Sequence, residues 1–159
     1  MRIYREVNND GVSTTVFRAY WLNSSSYFIA DAICGIALQQ PAPTHMLKQL
    51  RELKKNKINE FISILTESIG IERATPSLLS RMLKSTIGFS DMIEKNQHSM
   101  LISKKYDYMI NHSLLSDCYF YLGYITRNNF FKIQDIHKKP EFIHILKTAF
   151  DLEFDVNKF

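Results

Sequence analysis

Along most of this chain the hydrophobic positions recur at spacings of three and four, which predicts helices with one apolar face. The longest such stretch is Thr44–Ser68. There Met46, Leu47, Leu50, Leu53, Ile58, Phe61, Ile62 and Leu65 keep the helical spacing and predict a single long helix. Its other face sets Lys48, Arg51, Lys54, Lys55 and Lys57 against Glu52 and Glu60. Residues 27–39, YFIADAICGIALQ, are apolar nearly all round, which predicts a buried helix capped by Ser24, Ser25 and Ser26. Residues 98–111 predict a helix with Met100, Leu101, Tyr108 and Met109 inward. A last helix is expected over 138–150, burying Phe142, Ile143, Leu146 and Ala149.

Two stretches depart from this period. Residues 2–7 and 12–22 are rich in β-branched and aromatic types, and Asn8-Asn9-Asp10-Gly11 lies between them. Asp-Gly supplies the positive φ angles of a tight turn, so a β-hairpin is expected, packed on helices through Tyr20 and Trp21. Pro41-Ala42-Pro43 is stiff and marks a boundary between an N-terminal lobe (1–40) and a helical domain (44–159).

Punctuation inside the second region is more informative. Gly70 breaks the pattern, Thr75 offers a cap, and Pro76 sits where a helix tolerates its missing N–H. The short helix that follows would bury Leu78, Leu79, Met82 and Leu83 and turn Ser77, Ser80, Arg81 and Lys84 outward. It is expected to stop at Gly88, with Ser90-Asp91 capping a helix over Met92–Asn96. Asn111-His112-Ser113 marks another break. Leu114–Leu122 predicts a short helix ended by Gly123. Thr126–Ile133 predicts another, with Phe130 inward and Arg127, Asn128 and Lys132 outward. The fold class expected is mainly α: a compact multi-helix bundle with an N-terminal β-hairpin. Within it, two helix-turn-helix-like units (75–96 and 113–133) are joined by a connector helix.

Composition narrows the chemistry. The chain has 159 residues, 45% of them hydrophobic, enough for a sizeable core. Five Gly and four Pro suit helices better than loops. A net charge of +4 favours an anionic partner. Cys34 and Cys118 each lie in an apolar run and read as buried free thiols. The first ten residues hold no apolar signal core, and the apolar run 27–38 is too short to span a bilayer. A cytoplasmic protein without membrane contact is therefore expected. The five histidines show no zinc-site spacing, and the scattered glycines form no phosphate-cradling loop. No nucleophile-base set has a recognisable local context. No catalytic residue, metal or cofactor is expected, and an enzyme is the weak reading.

The two units resemble the DNA-binding half of the AraC/XylS family of transcription regulators, in which two helix-turn-helix units flank a long helix. Thr75, Leu79, Arg81, Leu83, Lys84 and Gly88 follow the pattern of the first unit. Gly123-Tyr124, Phe130, Pro140 and Phe142 follow that of the second. The resemblance covers residues 57–145. It departs in the connector, Ser99–Tyr108, which lacks the family's Arg. It implies a regulator that binds duplex DNA without a cofactor. Ser77, Ser80, Arg81 and Lys84 of the first unit would then meet bases and phosphates, with Thr126, Arg127, Asn128 and Lys132 of the second.

The alternative is a non-enzymatic helical protein that binds another protein, such as an effector, adaptor or immunity protein. In it Tyr119, Tyr121 and Tyr124 would be interface residues. Ser113-Leu114, Cys118 and Leu122 also have the spacing of the box by which ubiquitin-ligase adaptors dock on elongin C. A buried core helix explains those positions equally well.

Overall fold

The computed structural model describes residues 14–37, 40, 42–53, 56–93 and 98–132. They form six α-helices and one 3₁₀ turn, with no strand among the described residues. The helices are α1 (Thr14–Ile36), α2 (Met46–Glu52), α3 (Asn56–Ile69), α4 (Pro76–Ile93), α5 (Ser99–Asn111) and α6 (Leu115–Phe131). The 3₁₀ turn, Ile71–Arg73, follows α3.

Several boundaries form for the local reasons the sequence suggests. α3 stops because Gly70 takes a left-handed φ of 79°, and its amide donates to the Thr66 carbonyl. α4 starts with Pro76 in its first position, and the Thr75 hydroxyl accepts the Leu78 amide at 3.3 Å. The break between α5 and α6 falls at His112-Ser113, where Ser113 adopts a φ of 58°. Elsewhere the elements differ from expectation. The hairpin's first arm and its Asp-Gly turn lie outside the described residues, while Thr14–Leu22, expected as strand, opens α1. The long helix expected over 44–68 is two helices, α2 and α3. The helix expected over 138–150 also lies outside the described residues.

The two units are the larger correction. α4 runs through Gly88 without a turn, and α6 runs through Gly123. A Cβ at Gly88 would meet nothing within 4 Å, so this glycine is an exposed helical position and not a stop. Gly123 is a helical position of close approach. A side chain there would run into the Tyr27 hydroxyl and lie 2.9 Å from Arg127 Nη1.

α6 is the central helix. Its residues 118–123 are all buried, which only a helix enclosed on every side allows. Around it lie Tyr27, Ala30 and Cys34 of α1, Met46 and Leu50 of α2, Leu65 and Ile69 of α3, Leu79 and Met82 of α4, and Ile102 and Met109 of α5. α4 and α6 are parallel neighbours. Thr86 Oγ1 meets Thr126 Oγ1 at 3.0 Å, and Asn129 Nδ2 donates to Ser90 Oγ at 2.6 Å. The residue numbers rise together across that seam, and α5 packs on both helices. α5 itself is turned relative to expectation. Met109 is buried, but Met100, Leu101 and Tyr108 face outward.

Candidate functional site

The eight positions expected to contact DNA divide between surface and core. On α4, Ser77, Arg81 and Lys84 are exposed at i, i+4 and i+7, so they share one stripe. Ser80 is half-buried and hydrogen-bonds Tyr106 of α5. On α6 the assignment reverses. Thr126 is buried, with its hydroxyl donating to the Leu122 carbonyl. Asn128 is half-buried and bonds the Tyr124 hydroxyl. Lys132 alone of this group is exposed, just past the helix end. Phe130 is buried as expected.

Arg127 is the clearest reversal, at 1% exposure. Its guanidinium lies 4.1 Å from the Tyr27 ring centroid. Nη1 donates to the Gly123 carbonyl at 2.8 Å, and Nη2 donates to Asn23 Oδ1. A buried cation needs electron-rich surroundings, and an aromatic face, a carbonyl and an amide oxygen supply them. Asn23 then passes the connection on. Its Nδ2 donates to the Ser68 and Ile69 carbonyls at 3.1 and 3.0 Å, at the C-terminal end of α3 where helical carbonyls lack partners. One arginine and one asparagine thus tie α6, α1 and α3 together. Because α4 and α6 touch through side-chain hydroxyls, the two short helices do not stand apart as paired groove readers.

The tyrosines expected at an interface are also interior. Tyr119 and Tyr121 are buried, and burial pushes the Tyr121 phenol up to about 12. Tyr124 is half-buried and donates to Asp31 Oδ2 at 2.8 Å. Desolvation holds the Asp31 carboxyl above its ordinary range, against the lowering effect of that bond. Cys118 and Leu122 are fully enclosed and Leu114 packs on the core, so the four-position docking pattern reads as a core helix. Cys34 is fully enclosed too, with its thiol 3.3 Å from Met46 Sδ. Both thiols are free, and burial raises the Cys118 thiol to about 12.

The outer side of α1 carries what the sequence reading missed. Its inner side buries Tyr27, Ala30 and Cys34, but Trp21, Leu22, Phe28, Ile29 and Ile36 are exposed, Leu22 at 64% and Ile36 at 83%. Ser25, Ala32 and Gly35 lie between them on the same exposed side. The helix expected to be buried all round therefore packs against the other described helices on one side only. No residue from 21 to 37 is charged except Asp31, which turns inward to Tyr124. The signal was present as Leu22, Ile29 and Ile36, seven residues apart. The strand-like composition of residues 12–22 hides it. α3, packed beside α1, adds exposed Ile64 and partly exposed Phe61.

Comparison with known proteins adds no relative: no family model, no curated protein and no solved structure matches this chain. No helix among the described residues is long and apolar enough to cross a membrane. Among those residues no group of His, Cys, Asp and Glu is arranged to hold a metal ion.

Proposed function

We propose that this chain is a non-enzymatic helical protein that works by binding protein, with the outer face of α1 as its docking surface. The observation that carries this reading is the uncharged apolar side of α1, exposed over four helical turns while the opposite side is packed into the core. Contiguous apolar surface of this kind is costly to leave in water and marks interaction sites. Its large members are Trp21, Leu22, Phe28 and Ile29, and tryptophan is among the side-chain types enriched as interface anchors. The test is capture of the binding partner by wild type and by Ile29→Glu, each with and without nuclease. The reading expects nuclease to change nothing and Ile29→Glu to weaken capture by about 2 kcal/mol or more, as for an interface anchor. Equal capture by both proteins would exclude this face.

Duplex DNA is kept as a second reading, on the exposed Ser77, Arg81 and Lys84 stripe of α4. It differs from the expected tandem arrangement, because a single helix would make the contact. Arg81→Ala and Lys84→Ala should each flatten the salt dependence of binding by about one unit if they meet phosphate. A gel-shift series without retardation at low salt would remove it.

A further inference from the structure

We infer that Asp31 and Tyr124 form a proton-operated latch between α1 and α6, tight when the Asp31 carboxyl is neutral and loose when it is charged. The latch is independent of which surface binds a partner. α1 packs closely on α2 and α3. It meets α6 through long side chains: Asn23 on Arg127, Tyr27 on Phe120 with ring centroids 4.7 Å apart, and Asp31 on Tyr124. The first of these ties joins an arginine that stays charged to an amide that never is. The last carries the one carboxyl between Trp21 and Ala37. Tyr124 donates to its Oδ2 at 2.8 Å. Its Oδ1 is enclosed, and no group hydrogen-bonds it among the described residues. A carboxylate accepts through both oxygens and, once out of water, needs several donors or a cation. A neutral carboxyl needs far less, and its Oδ2 still accepts the Tyr124 hydroxyl.

No described residue supplies what the charged form lacks. From α6 the group that faces Asp31 is Tyr124, whose hydroxyl also bonds Asn128. On α1 itself, the Tyr27 hydroxyl reaches Gly123 and the Cys34 thiol reaches Met46 Sδ. On α2, His45, Lys48, Arg51 and Glu52 are exposed, and on α3 so are Glu60 and Glu67. None of them is ion-paired with Asp31, and Lys48 pairs with Glu52. Burial raises the Tyr124 phenol above 10.0 and the Cys34 thiol above 9.0, so both keep their protons in acid and neutral solution. Desolvation outweighs the Tyr124 bond and holds the Asp31 carboxyl above 3.8. Folding thus favours its neutral form. The contact is tight below the unfolded value and slackens as pH rises through the folded one.

The test is hydrogen exchange of the full chain at about pH 7 and about pH 4, read as protection factors so that the intrinsic pH dependence of amide exchange drops out. Residues 28–36, the part of α1 around the latch, should gain protection in wild type as pH falls. Asp31→Asn keeps an acceptor for Tyr124 without the charge. It should be better protected there than wild type at the higher pH and lose that lead at the lower. Tyr124→Phe takes away the carboxylate's donor. At the higher pH it should exchange about tenfold faster than wild type, as loss of a charge-assisted hydrogen bond implies. At the lower pH the difference should shrink, because the lost bond then joins neutral groups. If Tyr124→Phe does not fold, the Asp31→Asn comparison decides alone. Equal protection of wild type and Asp31→Asn at the higher pH would overturn the inference. So would a Tyr124→Phe effect of the same size at both pH values, which a merely structural bond would give. A pH response spread evenly over α4 and α5 would also overturn it, because overall stability, and not this contact, would then be the cause.

Discussion

Arg81 and Arg127 show how one residue type takes opposite roles. Both fall at positions the helical period turned outward, yet Arg81 is exposed and Arg127 is enclosed beneath Tyr27. Arg127→Ala should destabilise by about 2–4 kcal/mol, because it strips charged hydrogen bonds and leaves Asn23 Oδ1 without its donor. Arg81→Ala should stay within about 0.5 kcal/mol, as exposed substitutions do. Paired thermal melts check the contrast, and equal shifts would mean that Arg127 is not buried as described. Gly123 gives a second residue-scale expectation. Alanine favours a helix over glycine by about 0.5–1 kcal/mol, but here its Cβ collides with the Tyr27 hydroxyl, and overpacking costs about 1–3 kcal/mol. Gly123→Ala should therefore destabilise, and adding Tyr27→Phe should recover part of the loss. A chemical-denaturation series on the two single variants and the pair would show it, and a stabilising Gly123→Ala would contradict the close approach.

At the scale of elements, the chain reported helix content and several ends correctly, because these are local matters. The Thr75-Pro76 start and the Gly70 stop are settled by backbone conformation within one turn. What was not legible depends on distant partners. Gly88 and Gly123 carry the same local signal as Gly70, but both lie inside helices. At Gly123 the reason is Tyr27, nearly a hundred residues away in sequence. Thr14–Leu22 has strand-like composition and is helix, an override of local preference by context. Of the eight candidate contacts, Ser77, Arg81 and Lys84 came out on one exposed stripe. Thr126 and Arg127 did not, because they face Thr86 of α4 and Asn23 of α1, while the partly exposed side of α6 there carries Tyr124, Ile125 and Asn128. The α4–α6 seam makes its own prediction. Thr126→Val should cost about 1–2 kcal/mol by leaving the buried Thr86 hydroxyl without its side-chain partner. Thr86→Val together with Thr126→Val should cost less than the two single changes added, which a double-mutant cycle measures. Strict additivity would mean the two hydroxyls do not interact.

For the molecule as a whole, two half-buried carboxyls set a pH dependence. Desolvation raises Asp31 and Asp117 above 3.8, at Asp117 against the lowering influence of Arg51 and His45. A carboxyl raised in the folded state adds stability that is fully present below its unfolded value and lost as pH rises through its folded value. The double variant Asp31→Asn, Asp117→Asn should thus gain on wild type at pH 7 and lose that advantage as pH falls toward 3.8. Melting curves across that range would check it, and an advantage confined to acid would reverse the sign. The Arg127–Asn23 contact has a further consequence at this scale, for synthesis of the chain. Its two residues are 104 apart. At about 5–20 residues per second, a ribosome makes Arg127 roughly 5–20 s after Asn23. Through that interval α1 can pack on α2 and α3 but lacks α6 and its hydrogen-bonded tie, so the part of its inner side that meets α6 faces water or a chaperone. The first of the described helices to be made is thus among the last to be locked, because α6 is the last of them to emerge.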